Sequence, residues 1–183
     1  MRIRPLPPMV TEIVTAALIA CDRTEYFVQG SCRHCGGTLS GYDRRSRRFA
    51  VLCDEETDRP VSVILHRSYC RECGRIHMPE EPFYPGTRVG SPVVDLCRAL
   101  AGSVAYGRVS VILSQMGVRV DRWGVRSYVA RQRIPVPTVF LFGMMIPVSI
   151  VSLSTLGGTE KPGVPPRAED VLAACYFPSR KLP

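Results

Sequence analysis

The chain has 183 residues, of which 45% are hydrophobic and 22% charged, a composition that is ordinary for a globular protein of one domain or two small ones. The formal net charge is +8, and arginine supplies 22 of the 24 basic residues. Arginine suits bidentate contacts with phosphate and guanine better than lysine does, although a GC-rich genome also raises its frequency. The charge therefore favours an anionic partner without identifying it.

The N-terminal region, residues 1–30, has a basic, proline-rich start and then an apolar stretch from Val10 to Ala20 that predicts a helix of about three turns. Residues 18–21 also resemble a bacterial lipoprotein cleavage box. Because Glu12 leaves an apolar run of only eight residues before Cys21, which is short for a signal peptide, we favour a packed helix in a cytoplasmic protein.

Two copies of the pattern Cys-x-x-Cys-Gly stand out in residues 31–79. The first contains Cys32 and Cys35, and the second contains Cys70 and Cys73. Two thiolates in one tight turn can bind the same tetrahedral ion, and the following glycine permits the positive φ that such a turn needs. Two such pairs predict a zinc site, with two disulfides or unrelated thiols as the alternative. Four thiolates leave no open coordination position, so we expect a structural rather than a catalytic zinc.

The sequence between the two cysteine pairs predicts the two strands of a zinc ribbon. Residues 42–53 carry four arginines and place Phe49, Val51 and Cys53 on one face, and residues 60–69 return as the second strand after an acidic turn. A module this small buries little apolar area, so the metal is expected to supply much of its folding free energy.

Residues 80–133 predict a module of three short helices. Ser91 is expected to cap the first helix, Gly117 to end the second and Asp121 to cap the third. The predicted helices cover residues 91–102, 107–116 and 122–131. Three short helices with a glycine turn before the last are typical of a helix-turn-helix, whose last helix lies in the DNA major groove.

Arginines are concentrated in this module, because residues 104–133 contain six arginines and one acid. Such an excess suits the neutralisation of phosphates. The predicted DNA contacts are Arg108, Arg119, Arg122, Trp123, Arg126 and Arg131. Within this set, Arg122 and Arg126 are expected to reach base edges, and Arg108 and Arg119 to touch phosphate. The alternative is a plain helical bundle with a solvated basic face and with Trp123 packed against the ribbon.

The C-terminal region, residues 134–183, opens with an uncharged stretch, 134–156, that is long enough to cross a membrane as a helix. Three prolines interrupt it, so we instead predict buried strands over 140–145 and 148–153. A loop over 157–166, one short helix over 168–176 and a basic tail are predicted to follow.

The order of ribbon, three-helix module and apolar segment resembles the N-terminal DNA-binding region of prokaryotic transposases over residues 31–133, with a vaguer similarity over 134–156. The resemblance implies a zinc site and double-stranded DNA as the partner. It also implies a later RNase H-like core with three carboxylates, but the acids after Arg133 are only Glu160, Glu169 and Asp170. The catalytic part of the family is therefore expected to be missing.

No other catalytic pattern stands out. The chain has neither a Gly-x-x-x-x-Gly-Lys phosphate loop nor a His-Glu-x-x-His motif. Its three histidines, His34, His66 and His77, lie in or beside the predicted ribbon, where His77 could replace a cysteine as a ligand.

These patterns together predict an α+β fold with a small zinc-ribbon β module, a three-helix helix-turn-helix and a hydrophobic β or extended C-terminal segment. The predicted function is non-catalytic binding of double-stranded DNA by a zinc-containing protein, transposase-derived or regulatory. The alternative is an interaction module that uses the ribbon and the apolar C-terminal segment to dock a protein partner or a second copy of the chain. This alternative includes docking at a membrane surface. An RNA-binding ribbon is a third option.

Overall fold

The computed structural model describes residues 6–53, 57–131, 134–159 and 164–176, which form a mixed α+β fold with six helices and two sheets. The helices are α1 (Pro8–Ala20), α2 (Ser91–Ala101), α3 (Tyr106–Gln115), α4 (Arg122–Arg131), α5 (Val148–Thr159) and α6 (Ala168–Ala174). The strands are β1 (Glu25–Phe27), β2 (Leu39–Leu52), β3 (Arg59–Cys70), β4 (Ile76–His77), β5 (Thr138–Leu141) and β6 (Met144–Pro147). The α+β class and the helices and strands predicted up to residue 131 are confirmed.

The larger sheet is built around the long antiparallel pair of β2 and β3. Its register runs from Leu39 opposite Cys70 at one end to Leu52 opposite Arg59 at the other. On its other side β3 pairs with β1 in parallel and with the short β4. The register brings the chain just before Leu39 beside the chain just after Cys70, which is where the two cysteine pairs lie.

Only one end of this long hairpin is buried in the body of the protein. A β-bulge at Phe49 shifts the register, so that Ala50 and Leu52 are buried together with Phe49. The prediction that Phe49, Val51 and Cys53 share one face of the strand is therefore wrong beyond Phe49. Val51 and Cys53 are only half-buried. At the other end of the hairpin, near the cysteine pairs, strand β2 is mostly exposed, whereas β3 is mostly half-buried.

The hydrophobic core is one cluster of buried side chains with members from all six helices and from β1, β2, β3 and β6. Helix α1 packs along α5, while α2, α3 and α4 pack against one another. Cys97 on α2 lies fully buried in this core. The helical module and the inner end of the sheet thus share one packed interior.

The start of α2 differs from the prediction, because Gly90 rather than Ser91 occupies the N-cap position. The N–H of Gly90 donates a hydrogen bond to the carbonyl of Phe49 at 2.8 Å, which ties this point of the chain to the sheet. Ser91 is therefore the first residue inside the helix, and its fully buried hydroxyl makes no capping bond.

The C-terminal region contains one hairpin and one helix in place of the two predicted strands. Strands β5 and β6 pair with each other and turn at Phe142 and Gly143, both of which have positive φ. The predicted strand over 148–153 is wrong, because this stretch is the first half of α5, which also includes Gly157 from the predicted loop. Pro147 is the last residue of the hairpin. The helical conformation of α5 is stabilised by its packing on α1. None of the described helices is long and apolar enough to span a membrane.

Candidate metal centre and helical surface

The two cysteine pairs lie on two turns of the same type. The N–H of Gly36 donates to the carbonyl of Cys32 at 2.8 Å, and the N–H of Gly74 donates to that of Cys70 at 2.9 Å. Both glycines have positive φ, +75° and +70°, which favours glycine at these positions. The β2–β3 register then places the two turns side by side.

The four sulfurs of Cys32, Cys35, Cys70 and Cys73 all lie within 4.8 Å of one another. Across the two turns, Cys32 and Cys73 are 3.6 Å apart, and Cys35 and Cys70 are 3.4 Å apart. A tetrahedron with metal–sulfur bonds of about 2.3 Å has edges of about 3.8 Å. None of the eight cysteines forms a disulfide. The cluster therefore has the size and the donor set to hold one metal ion.

Different local forces act on the thiols of this cluster. The backbone N–H of Cys35, with that of His34, stabilises the thiolate of Cys32 and lowers its pKa to about 5. Burial has the opposite effect at Cys70 and raises the pKa of its thiol to about 12. Four thiolates this close would repel one another, and a divalent cation at their centre would offset that repulsion.

The remaining histidine and cysteine side chains lie outside the group of four sulfurs. His77 on β4 places its Nε2 atom 3.2 Å from the sulfur of Cys32, where it contacts a member of the cluster. Cys21, Cys97 and Cys175 are fully buried in the core. Burial raises the pKa of Cys97 to about 12 and that of Cys21 well above its usual range.

Helix α3 ends in a turn at Gly117, which leads into α4. The N–H of Val118 donates to the carbonyl of Leu113 at 2.8 Å, and the N–H of Gly117 donates to that of Ser114 at 3.0 Å. These are the two bonds of a Schellman motif, which requires positive φ at Gly117, here +79°. The prediction that Gly117 ends the second helix of the module is confirmed.

This turn is fastened to the sheet and to α1. The N–H of Cys53 donates to the carbonyl of Gly117 at 2.9 Å, and the N–H of Arg119 donates to that of Val51 at 2.8 Å. The hydroxyl of Thr11 donates to the last carbonyl of α3 at 2.9 Å. The backbone just before α4 is consequently fixed relative to the sheet.

Helix α4 has one buried face and one exposed face. The Asp121 side chain caps the helix by accepting the N–H of Gly124, and Val125 and Tyr128 are buried. The opposite side presents Arg122, Trp123 and Arg126, all of them exposed.

On this outer face, each guanidinium of Arg122 and Arg126 lies 5.8 Å from the centre of the Trp123 ring. Trp123 is 67% exposed, which excludes its predicted alternative packing against the ribbon. An exposed tryptophan between two arginines is an unusual surface for a helix without a partner.

The other predicted DNA contacts are placed differently. Arg119 forms an ion pair with Asp58 at 2.8 Å, Arg131 donates to the carbonyl of Gly86 at 3.0 Å, and Arg108 is half-buried on α3. Arg119 and Arg131 share a groove with Trp123, whereas Arg108 does not line it.

That groove also contains two arginines outside the predicted set of DNA contacts, Arg48 and Arg88. Arg48 belongs to the arginine-rich strand β2. Arg88 stands in the irregular segment before α2, where no motif marks it.

A scan of the sequence against protein-family models found no match, and searches of curated proteins and of solved structures found none either.

Proposed function

We propose that this protein is a non-catalytic, zinc-containing protein that binds double-stranded DNA, transposase-derived or regulatory. The observation that carries the proposal is the Arg122–Trp123–Arg126 face of α4, presented on the first half of a helix whose preceding turn is fixed to the sheet. In a helix-turn-helix this half of the last helix is the part that reaches base edges.

The packing of α2, α3 and α4 supports this role for α4. The inner face of α4 packs through Val125 against its neighbours, so its outer face is free to enter a groove. Arg122 and Arg126 are one helical turn apart and point to the same side. Each could form the bidentate contact with guanine that arginine makes most often in the major groove.

Zinc is the metal that we propose for the four cysteines. Thiolates select zinc or iron–sulfur chemistry, and a single tetrahedral set of four is typical of a structural zinc site. Cys32, Cys35, Cys70 and Cys73 would hold the ion, which would close the exposed end of the β2–β3 hairpin. That end lies about 13 residue steps, or about 40 Å, along the strand from the turn before α4. The metal would stabilise the hairpin and would take no part in reading bases through α4.

The experiment is to select a binding site from random duplexes and then to titrate salt with single variants. Arg122→Ala and Arg126→Ala should each lose about 1–3 kcal/mol of discrimination at one base pair. The matched control is Arg119→Ala, which should weaken all duplexes about equally and reduce the salt slope by roughly one. If the first two variants lose no more discrimination than the control, the assignment of base contacts is wrong.

A second candidate function is docking of a protein partner through the C-terminal hairpin. Phe140 is 67% exposed, and Phe142 and Met145 are 42% and 44% exposed beside it. Such an apolar tip is typical of a contact surface between proteins. Sedimentation velocity of the protein and of a Phe140→Ser variant tests it, because self-association that the variant abolishes would support docking of a second copy.

A further inference from the structure

The groove between the sheet and α4 has a volume of about 950 Å³. One wall comes from β2 and the start of β3, the other from α4, and the floor from the turn before α4 and the segment before α2. The fixed turn holds the two walls together, so the groove is part of the folded body. Its volume is far too small for a duplex, but it admits part of a single strand.

The charges along the described groove favour an anion. Four arginines line it, against the two aspartates Asp58 and Asp121. Asp58 already pairs with Arg119, and Asp121 caps α4. Arg48 and Arg88 are exposed, and no ion pair joins either of them to another described residue. Within the described part of the chain, two guanidinium groups therefore remain for phosphates in this groove.

The same groove contains an aromatic surface. Trp123 lines it, and two thirds of the side chain is in contact with solvent. A tryptophan offers its large flat face to a nucleic-acid base, and every base can stack on it. An aromatic platform beside a basic channel is the combination that binds single-stranded nucleic acid.

We propose that this groove binds an unpaired stretch of DNA, with one base stacked on Trp123 and the backbone phosphates against Arg48 and Arg88. The inference rests on the DNA binding proposed above and adds to it a preferred substrate class. Arg122 and Arg126 hold the duplex on the outer face of α4, and the unpaired strand that continues from that duplex enters the groove. The preferred substrate is then a duplex with a single-stranded overhang or an opened end.

The experiment compares the selected duplex in blunt form with the same duplex carrying a four-nucleotide overhang of either polarity. Trp123 is the only tryptophan of the chain, so its fluorescence reports on this one residue, and comparison with the blunt duplex isolates the contribution of the groove. The overhang should quench this fluorescence further than the blunt duplex does and raise the affinity by roughly 5- to 140-fold, the range expected for one stacked base. Arg88→Ala should reduce the ratio of the two affinities. The control Arg108→Ala, outside the groove, should weaken both forms equally and leave their ratio unchanged.

The outcomes separate the two proposals. Equal affinity for both forms with equal quenching, or with none, overturns the groove proposal, while duplex binding by α4 stands. Binding of the overhang form with quenching, but no binding of the blunt form, supports the groove and contradicts double-stranded binding. Binding of neither form overturns both. Tighter binding of a single-stranded RNA of the same sequence than of the DNA overhang overturns the choice of DNA.

Discussion

The turn before α4 should be highly sensitive to one added methyl group. A Cβ atom at Gly117 would lie 2.7 Å from the Cγ2 atom of Thr15 on α1, and the residue has a φ of +79°. The left-handed backbone costs a residue with a side chain about 1–2 kcal/mol. Crowding against the Thr15 methyl group adds about 1–3 kcal/mol, because α1 has to shift. Gly117→Ala should therefore lower the free energy of unfolding by about 2–5 kcal/mol.

Two further variants separate these two causes. Gly143 has almost the same φ, +83°, but a Cβ there would meet nothing within 4 Å, so Gly143→Ala should lose only about 1–2 kcal/mol. Thr15→Ser removes the methyl group and keeps the hydroxyl that donates to the carbonyl of Thr11 at 2.8 Å. Combined with Gly117→Ala, Thr15→Ser should recover the part of the free energy of unfolding that is lost to crowding.

Urea unfolding at fixed metal content measures all five proteins, which are the wild type, the three single variants and the double variant. The double-mutant cycle then gives the coupling between positions 15 and 117. If Gly117→Ala loses no more than Gly143→Ala, or if Thr15→Ser does not rescue it, α1 does not press on the turn as the structure indicates. The position of α4 relative to the sheet would then depend on other contacts.

Three more outcomes follow from the cysteines and from one ion pair. Protein purified without added metal should contain one zinc by elemental analysis, and Cys73→Ser should lose it; iron or no metal would contradict the assignment. In the metal-bound protein a thiol reagent should modify Cys53, which is half-buried, before Cys97, whose pKa burial raises to about 12, and the opposite order would refute this burial pattern. Hydrogen bonding to Arg67 lowers the pKa of Asp43, so this pair should stabilise the fold above about pH 4, and its contribution should fade as the pH falls through the lowered pKa. NMR titration of the Asp43 carboxyl should show a higher pKa in Arg67→Gln than in the wild type. An equal pKa in both proteins would contradict the role of Arg67.

Local patterns predicted the parts of the structure that depend on neighbouring residues. The Cys-x-x-Cys-Gly repeats predicted the four-sulfur cluster, because each turn carries its own geometry and the strands between them define the register. Gly117 and Asp121 marked the ends of α3 and α4 for the same reason, since caps act within one turn of helix.

Features that depend on distant packing could not be predicted in this way. The stretch 148–153 is rich in β-branched residues, which favours a strand, but its contacts with α1 make it helical. Gly90 rather than Ser91 is the N-cap of α2, because a hydrogen bond from the Gly90 N–H to the sheet fixes Gly90 in that position. The groove combines Arg48, Arg88 and Trp123 from three separate parts of the chain, and no single motif contains them.

The most direct test of the account is the ratio of affinities for the selected duplex and for a duplex of random sequence at about 0.15 M salt. Specific DNA-binding proteins prefer their sites by at least about 10³-fold. We predict a ratio in that range, with the tight binding lost when Arg122 and Arg126 are both replaced by alanine. A ratio near one would contradict sequence-specific DNA binding and would leave the basic face of α4 as solvated surface.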